Sequence, residues 1–266
     1  VQKKDLPFFM KLMDTLNHQK INCPKPLKDK NGKYLTLIQN KAACVVTFLD
    51  GKDKINLNNK NCHEVGKNIG RLHKASHKIK LYRKNSMSIN NLNSLLKSIK
   101  FKSKSIAPNL KSVLKINLKE IKKEWPKKLP KGIIHGDLFI DNIFFNKNKF
   151  AGFIDFYFSC EDFYAFEIAI CFNALCFDGV PKNLSFNVTK AKNFIDGYNS
   201  IRKLTDDEKG NIKVLSQGAA LRFLLTRVFD ALNTVDGAIV KVKDPMEYLK
   251  RLEFHKNSKN FEDYFF

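Results

Sequence analysis

Between Ile133 and Phe158 three short apolar runs, Ile133-Ile134, Ile143 to Phe145 and Phe150 to Ile154, alternate with acidic and glycine-containing turns. Runs of this length with such boundaries read as strands, and strands must bury their apolar sides. His135, Asp137, Asn142 and Asp155 are thereby left at strand ends and on loops, where chemistry usually resides. They form the string HxDxxxxN, with Asp155-Phe156 beginning thirteen residues after Asn142. The step from Asp137 to Asn142 lets a tight loop point both side chains into one cleft. Pairing of the strands around Phe144 and Phe153 then returns Asp155 to their side.

A carboxylate, an amide and a second carboxylate so arranged suit phosphoryl transfer from ATP. The protein must orient a hydroxyl nucleophile, a task for Asp137, and hold the magnesium that neutralises charge on the β and γ phosphates. Magnesium takes hard oxygen ligands and usually one or two protein carboxylates, which suits Asn142 and Asp155. The plainer alternative is a polar turn between two strands with Asp155 capping the next helix. That reading fits isolated HxD or DF pairs, but not four polar residues coinciding with strand-flanked spacing. His135 is expected to bond backbone near the loop rather than act as a base.

The rest of the chain reads as β-rich first and α-rich later, an α+β pattern. Asp5 to Lys20 is an amphipathic helix with Asp5 as N-cap, Pro7 in the first turn and Phe9, Leu12, Met13 and Leu16 on one face. A turn at Lys30 to Lys33 leads into an antiparallel pair, Tyr34 to Ile38 and Ala42 to Phe48. A helix follows from about Asn59 to Lys78, carrying Val65, Ile69, Leu72 and His73. Residues 83–108 are rich in Lys, Ser and Asn and read as a surface excursion. From Asp162 onward the pattern is helical: an apolar stretch from Phe163 to Phe177, then amphipathic segments near 188–201, 206–232 and 244–262.

Composition excludes several classes. No apolar run reaches the ~18 residues that span a bilayer. Cysteines 23, 44, 62, 160, 171 and 176 show no CxxC spacing, so reduced thiols in a cytoplasmic protein are expected, and no signal-peptide pattern is visible. The formal charge of +22 invites a nucleic-acid reading. Only six of the 48 basic residues are Arg, however, and the 42 Lys spread over the whole length together with 27 Asn. No nucleic-acid reader signature accompanies them, so dedicated nucleic-acid binding is not expected.

The segments His135 to Phe145, Gly152 to Cys160 and Ala169 to Ala174 resemble the homoserine kinases of the aminoglycoside-phosphotransferase superfamily. So do Asp5 to Phe9 with Leu12-Met13, Cys23-Pro24, Phe48 to Gly51 and Gly218 to Arg227, so that the likeness spans the chain. The loop alone would be shared with choline, methylthioribose and antibiotic kinases. The runs Asp155-Phe-Tyr-Phe-Ser-Cys160 and Leu221-Arg-Phe-Leu-Leu-Thr-Arg227 point to homoserine.

The resemblance implies a two-lobed fold related to protein kinases and transfer of the ATP γ-phosphate to the side-chain hydroxyl of L-homoserine, on the route to threonine. Asp137 takes the role of catalytic base, Asn142 and Asp155 those of magnesium ligands, and Phe48, Leu49 and Asp50 that of a hinge bonding adenine. Residues 1–50 would be the remnant of a small lobe and 51–266 the mainly helical large lobe. Two departures stand out: Ile140 replaces the family's usual Pro, and the resemblance begins at the small lobe's first long helix. The phosphate-covering loop and the strand bearing the ATP-anchoring Lys would precede Val1, which implies a truncated chain with impaired ATP affinity and turnover.

Arg222 and Arg227 are candidates for the substrate carboxylate, because an Arg fork matches it bidentately. The alternative is an ion pair between Arg227 and Asp230, three residues on. Asp162 or Glu161 could meet the substrate ammonium, or Asp162 could cap the helix from Phe163. Glu167, an acid in an apolar helix, needs a partner; the resemblance assigns it the backbone of the catalytic loop. Two other functions remain open: phosphorylation of another small amino alcohol or an aminoglycoside, and a catalytically inactive kinase-like binding module.

Overall fold

Pro7 in the first turn and an apolar stripe set helix α1 (Leu6–His18), which buries Phe9, Met10, Leu12, Met13 and Leu16. The computed structural model describes residues 2–99, 106–180, 183–234 and 243–265. Asp5 does not cap α1 through its side chain, as the sequence suggested; it receives Arg83 Nε at 3.0 Å. That ion pair ties the start of α1 to the segment that follows the next long helix.

Four short strands come next: β1 (Pro26–Leu27), β2 (Thr36–Ile38), β3 (Lys41–Ala43) and β4 (Val45–Val46). The expected antiparallel pair is present as β2 and β3, with Thr36 opposite Ala43, while β1 pairs with β4. The chain reverses at Gln39 and Asn40, whose φ angles of 50° and 61° suit a two-residue hairpin. The turn at Lys30 to Lys33 lies upstream of that hairpin, where Asp29 Oδ1 accepts from the Asn31 and Lys33 amides.

Helix α2 (Asn59–Ser76) begins at a capping box formed by Asn58 and Asn61. Residues 83–108 differ from the expected excursion. Helix α3 (Leu92–Ser98) buries Leu92 and Leu96, and Glu161 donates its amide to the Arg83 carbonyl at 2.8 Å. Two apolar residues four apart were too few to outweigh the polar composition around them. Residues 100–105 of that stretch lie outside the described residues. Helix α4 (Leu110–Glu124) follows and buries Leu110, Leu114, Leu118 and Ile121.

The stretch of apolar runs from Ile133 to Phe158, with its flanking residues, forms two antiparallel ladders. Strand β5 (Lys131–Ile134) pairs with β8 (Cys160–Phe163), and between them β6 (Ile143–Asn146) pairs with β7 (Lys149–Phe153). The pattern from Asp162 onward read as helix, but Asp162 and Phe163 extend β8 because β5 supplies a ladder partner. Helix α5 (Tyr164–Leu175) then begins and is buried on all sides. A small ladder of β9 (Phe177–Asp178) and β10 (Ser185–Phe186) precedes α6 (Val188–Asn199), α7 (Asp206–Asn233) and α8 (Met246–Asn257). The architecture is α+β, with the core concentrated in the helices that surround α5.

Helices α2 and α6 touch through glycines. A Cβ on Gly66 would lie 2.0 Å from the Phe194 carbonyl oxygen, and one on Gly197 would lie 2.0 Å from that of His63. Neither backbone can yield without separating the helices. Gly66→Ala and Gly197→Ala are each expected to cost about 2–3 kcal/mol, read as a lower urea midpoint. An unchanged midpoint would contradict this close packing.

Candidate active site

Strand β5 delivers the chain into the loop at His135. The register Ile134 opposite Cys160 holds the loop start against the return strand β8. Gly136 turns with φ +80°, and a Cβ there would meet the Phe158 carbonyl oxygen at 2.9 Å. This position therefore requires glycine. The Asp137 carbonyl accepts from the Phe139 amide at 2.9 Å and from Asn142 Nδ2 at 2.8 Å. The Asn142 side chain is thus oriented by the residue whose carboxylate it accompanies.

Ile140–Asn142 form a short 3-10 turn, and the β6–β7 hairpin brings the chain back so that Ile154 N donates to Asn142 O at 3.0 Å. Asp155 then adopts a left-handed backbone, φ 61° and ψ 60°, and its side chain makes no capping bond to the 3-10 turn Phe156–Phe158 that follows. A non-glycine residue held there costs of order 1 kcal/mol or more. The capping alternative is therefore wrong. The Asp155 carboxylate makes no hydrogen bond or ion pair among the described residues, and Asn142 Oδ1 receives no donor among them.

The loop is braced from both sides. Glu167 on α5 accepts the His135 amide on Oε2 and the Gly136 amide on Oε1, the latter at 3.0 Å. Burial pushes the Glu167 carboxyl up, but facing His73 and His135 and the Gly136 amide outweigh it and hold it below the usual carboxylate range. His135 Nε2 donates to the Ile154 carbonyl at 2.8 Å, linking the loop start to the segment before Asp155. Arg222 on α7 donates to the Gly136 carbonyl at 2.6 Å and lies 3.8 Å from Asp137 Oδ1. Burial pushes the Asp137 carboxyl up, with Asp155 adding to the rise and Arg222 and His135 opposing it. The result is a partly shielded carboxylate of raised basicity beside two oxygen donors without protein partners.

Comparison with known proteins places the chain in a family. Residues 1–198 match the family described as phosphotransferase enzymes. The homoserine kinase of Mesorhizobium japonicum is 39% identical over 264 residues, covering 99% of this chain and 82% of that protein. The homoserine kinase of Bradyrhizobium diazoefficiens is 40% identical, covering 99% and 80%. The chain belongs to the homoserine kinase family of phosphotransferases. Solved structures show the same fold at low identity. An amicoumacin kinase in complex with AMP-PNP, Ca²⁺ and Ami superposes with a TM-score of 0.69 at 12% identity, over 98% of this chain and 79% of that one. A choline kinase from Cryptosporidium parvum gives 0.66 at 17%, over 96% and 77%.

Other candidate residues of this homoserine kinase family member fall in different places. Arg227 does not pair with Asp230; it donates to the Asp244 carbonyl and to Glu247 Oε2, at 2.8 and 2.7 Å, and stacks over Tyr248. Asp162 lies on β8 and does not cap α5, whose N-cap is Phe163. Its Oδ1 accepts the Phe163 amide, and its Oδ2 accepts from Asn85 Nδ2 at 2.6 Å. Glu161 is paired with Lys131 at 2.8 Å. Phe48, Leu49 and Asp50 follow β4 as irregular chain; Phe48 is 83% exposed. Among the described residues no backbone hydrogen bond is formed by these three. Leu49 lies over Gly152 of β7, three residues before Asp155.

Sequence reasoning did not anticipate Arg83 and Asn85, which reach the return strand and Asp162 from the stretch read as an excursion. The rarity of Arg was the available signal for Arg83.

The raised Asp137 carboxyl has a sign. Native Asp137 keeps its proton to a higher pH than the unfolded chain does, so stability falls as pH rises through that interval. Asp137→Asn removes this penalty and is expected to raise Tm by about 2 °C at neutral pH. A lowered Tm, measured by calorimetry, would contradict the burial argument.

Proposed function

We propose that this chain phosphorylates the side-chain hydroxyl of L-homoserine with ATP, with Asp137 as base and Asn142 and Asp155 as metal ligands. The observation that carries the reading is about 40% identity to homoserine kinases over 99% of the chain, which supports ATP and homoserine as its substrates. The product is O-phosphohomoserine, an intermediate of threonine biosynthesis. No helix among the described residues is long and apolar enough to cross a membrane.

Asp137 orients the homoserine hydroxyl and accepts its proton as the oxygen attacks the γ-phosphorus. The new P–O bond forms on the side-chain oxygen, the bond to the β–γ bridging oxygen breaks, and ADP leaves. A carboxylate of raised pKa suits proton acceptance better than a fully solvated one. Asn142 Oδ1 and Asp155 fit magnesium, being hard oxygen donors without protein partners; the ion would neutralise charge on the β and γ phosphates.

Arg222 is the better candidate for the homoserine carboxylate: it lies 3.8 Å from Asp137 and its Nε has no partner among the described residues, whereas Arg227 is committed to Asp244 and Glu247. Asp162, anchored by Asn85, is the acid available to the ammonium. The unpaired backbone of Phe48, Leu49 and Asp50 is assigned to adenine, with residues 1–50 as part of a small lobe and 51–266 as the large lobe.

In full-length protein, Asp137→Ala is expected to lower kcat by ~10²-fold or more in a coupled ADP-release assay. Asp155→Ala is expected to raise the magnesium concentration needed for half-maximal rate. Near wild-type turnover for Asp137→Ala would sink the assignment of the base. A panel of amino alcohols and aminoglycosides in the same assay identifies the acceptor, and a higher kcat/KM for any of them than for homoserine would overturn the substrate.

A further inference from the structure

A buried polar chain links the first turn of α7 to Glu167. Thr205 and Glu208 form a capping box, and Glu208 Oε1 accepts from Arg202 at 2.9 Å. Arg202 also donates to the Tyr198 hydroxyl at 2.9 Å, and that hydroxyl lies 2.8 Å from His73 Nδ1. On the far side of the ring, His73 Nε2 faces Glu167 Oε2 at 3.8 Å with no closer partner among the described residues. His73, Tyr198, Glu208 and Glu167 are all fully buried. The Tyr164 ring stacks on His73 at 4.5 Å, and Arg202 lies 4.7 Å from the same ring.

The donors in this chain have one consistent direction. A guanidinium only donates, so the Tyr198 oxygen accepts from Arg202 and has its own proton left to give. That proton goes to His73 Nδ1, the one acceptor facing it. A neutral ring accepting on Nδ1 carries its hydrogen on Nε2, and this N–H faces the carboxylate oxygen that accepts the His135 amide. Burial keeps the ring neutral by disfavouring its charged form. In a fully buried site each dipole aimed at Glu167 acts with little screening.

We propose that His73 is a positioning residue for phosphoryl transfer: Tyr198 and Arg202 fix its tautomer, and its Nε2–H orients Glu167 so that the His135 and Gly136 amides hold Asp137 in place. The effect reaches the reaction through three intermediates, His73 to Glu167 to the loop backbone to Asp137, and none of the residues upstream of Asp137 touches substrate. A small displacement of the loop is enough to matter, since misplacement by 1 Å can cost about 10²-fold in rate. The inference rests on reading the Asp137 loop as catalytic.

The test uses full-length protein and two readouts. Long-range ¹⁵N–¹H correlation reads the His73 tautomer without any turnover. Wild type is expected to be protonated on Nε2 at neutral pH, and Tyr198→Phe is expected to lose that single tautomer. Protonation of wild-type His73 on Nδ1 would overturn the proposal. Kinetically, His73→Leu is expected to lower kcat on the order of 10- to 100-fold with little change in either KM. His73→Gln, whose amide nitrogen reaches the place of Nε2, is expected to restore most of the loss. Wild-type kcat for His73→Leu, or no recovery in His73→Gln, would overturn the proposal. If His73→Leu does not fold, Tyr198→Phe decides: a reduced kcat supports the relay and an unchanged one overturns it. Failure of the catalytic reading itself is separately visible, as undiminished turnover of Asp137→Ala beside an intact His73 tautomer.

Discussion

The loop that carries Asp137 hangs on one buried carboxylate. Glu167 projects from α5, a helix apolar on every side, and receives the two successive amides of His135 and Gly136. Hydrogen bonds to a charged group contribute about 1.5–3 kcal/mol each, and an unpaired buried carboxylate is far more costly than an unpaired amide. Helix and loop are therefore mutually dependent: the acid is tolerable in the core only because the loop start covers it, and the loop start keeps its backbone geometry because the acid is there. Gly136 can make that turn because it lacks a Cβ, and Arg222 closes the opposite side by binding the Gly136 carbonyl.

What the brace presents is an acid, Asp137, whose surroundings disfavour its charge. Asp137 is desolvated and has Asp155 as a neighbour, both of which raise its pKa, while Asp155 sits in a left-handed conformation that a non-glycine residue rarely adopts. Neither feature serves stability. Both suit the proposed roles, in which a cation held by Asp155 would offset the acidic charge beside the Asp137 base. The cost is met by the packed helices around α5 and by the ladders β5–β8 and β6–β7, which fix the two ends of the acidic pair by backbone pairing rather than by flexible side chains.

Much of this was legible in the sequence because it depends on local pattern. The strands around Ile134, Phe144 and Phe153 announce themselves as apolar runs, and the spacing of Asp137, Asn142 and Asp155 survives directly as shared geometry. The family likeness spans the chain and agrees with the α+β fold. Illegible features depend on distant partners. Strand β8 is indistinguishable from the start of an apolar helix until β5 is seen beside it. Asp162 and Asp5 look like helix caps, yet Asn85 and Arg83, about 80 residues away in each case, take their oxygens. In the sequence His73 stood only beside Val65, Ile69 and Leu72 on one helix; its meaning lies in Tyr198 and Glu167, which the fold brings to opposite edges of its ring.

Glu167 sets the geometry from which Asp137 acts, and one substitution tests this directly. Glu167→Gln leaves one carbonyl oxygen for two amides and removes the charge, while keeping nearly the same volume in α5. Turnover of this variant in the full-length protein, measured with saturating ATP and homoserine, is expected to fall on the order of 10- to 100-fold with the far-ultraviolet circular dichroism of the fold retained. Wild-type turnover in a folded Glu167→Gln protein would contradict the account.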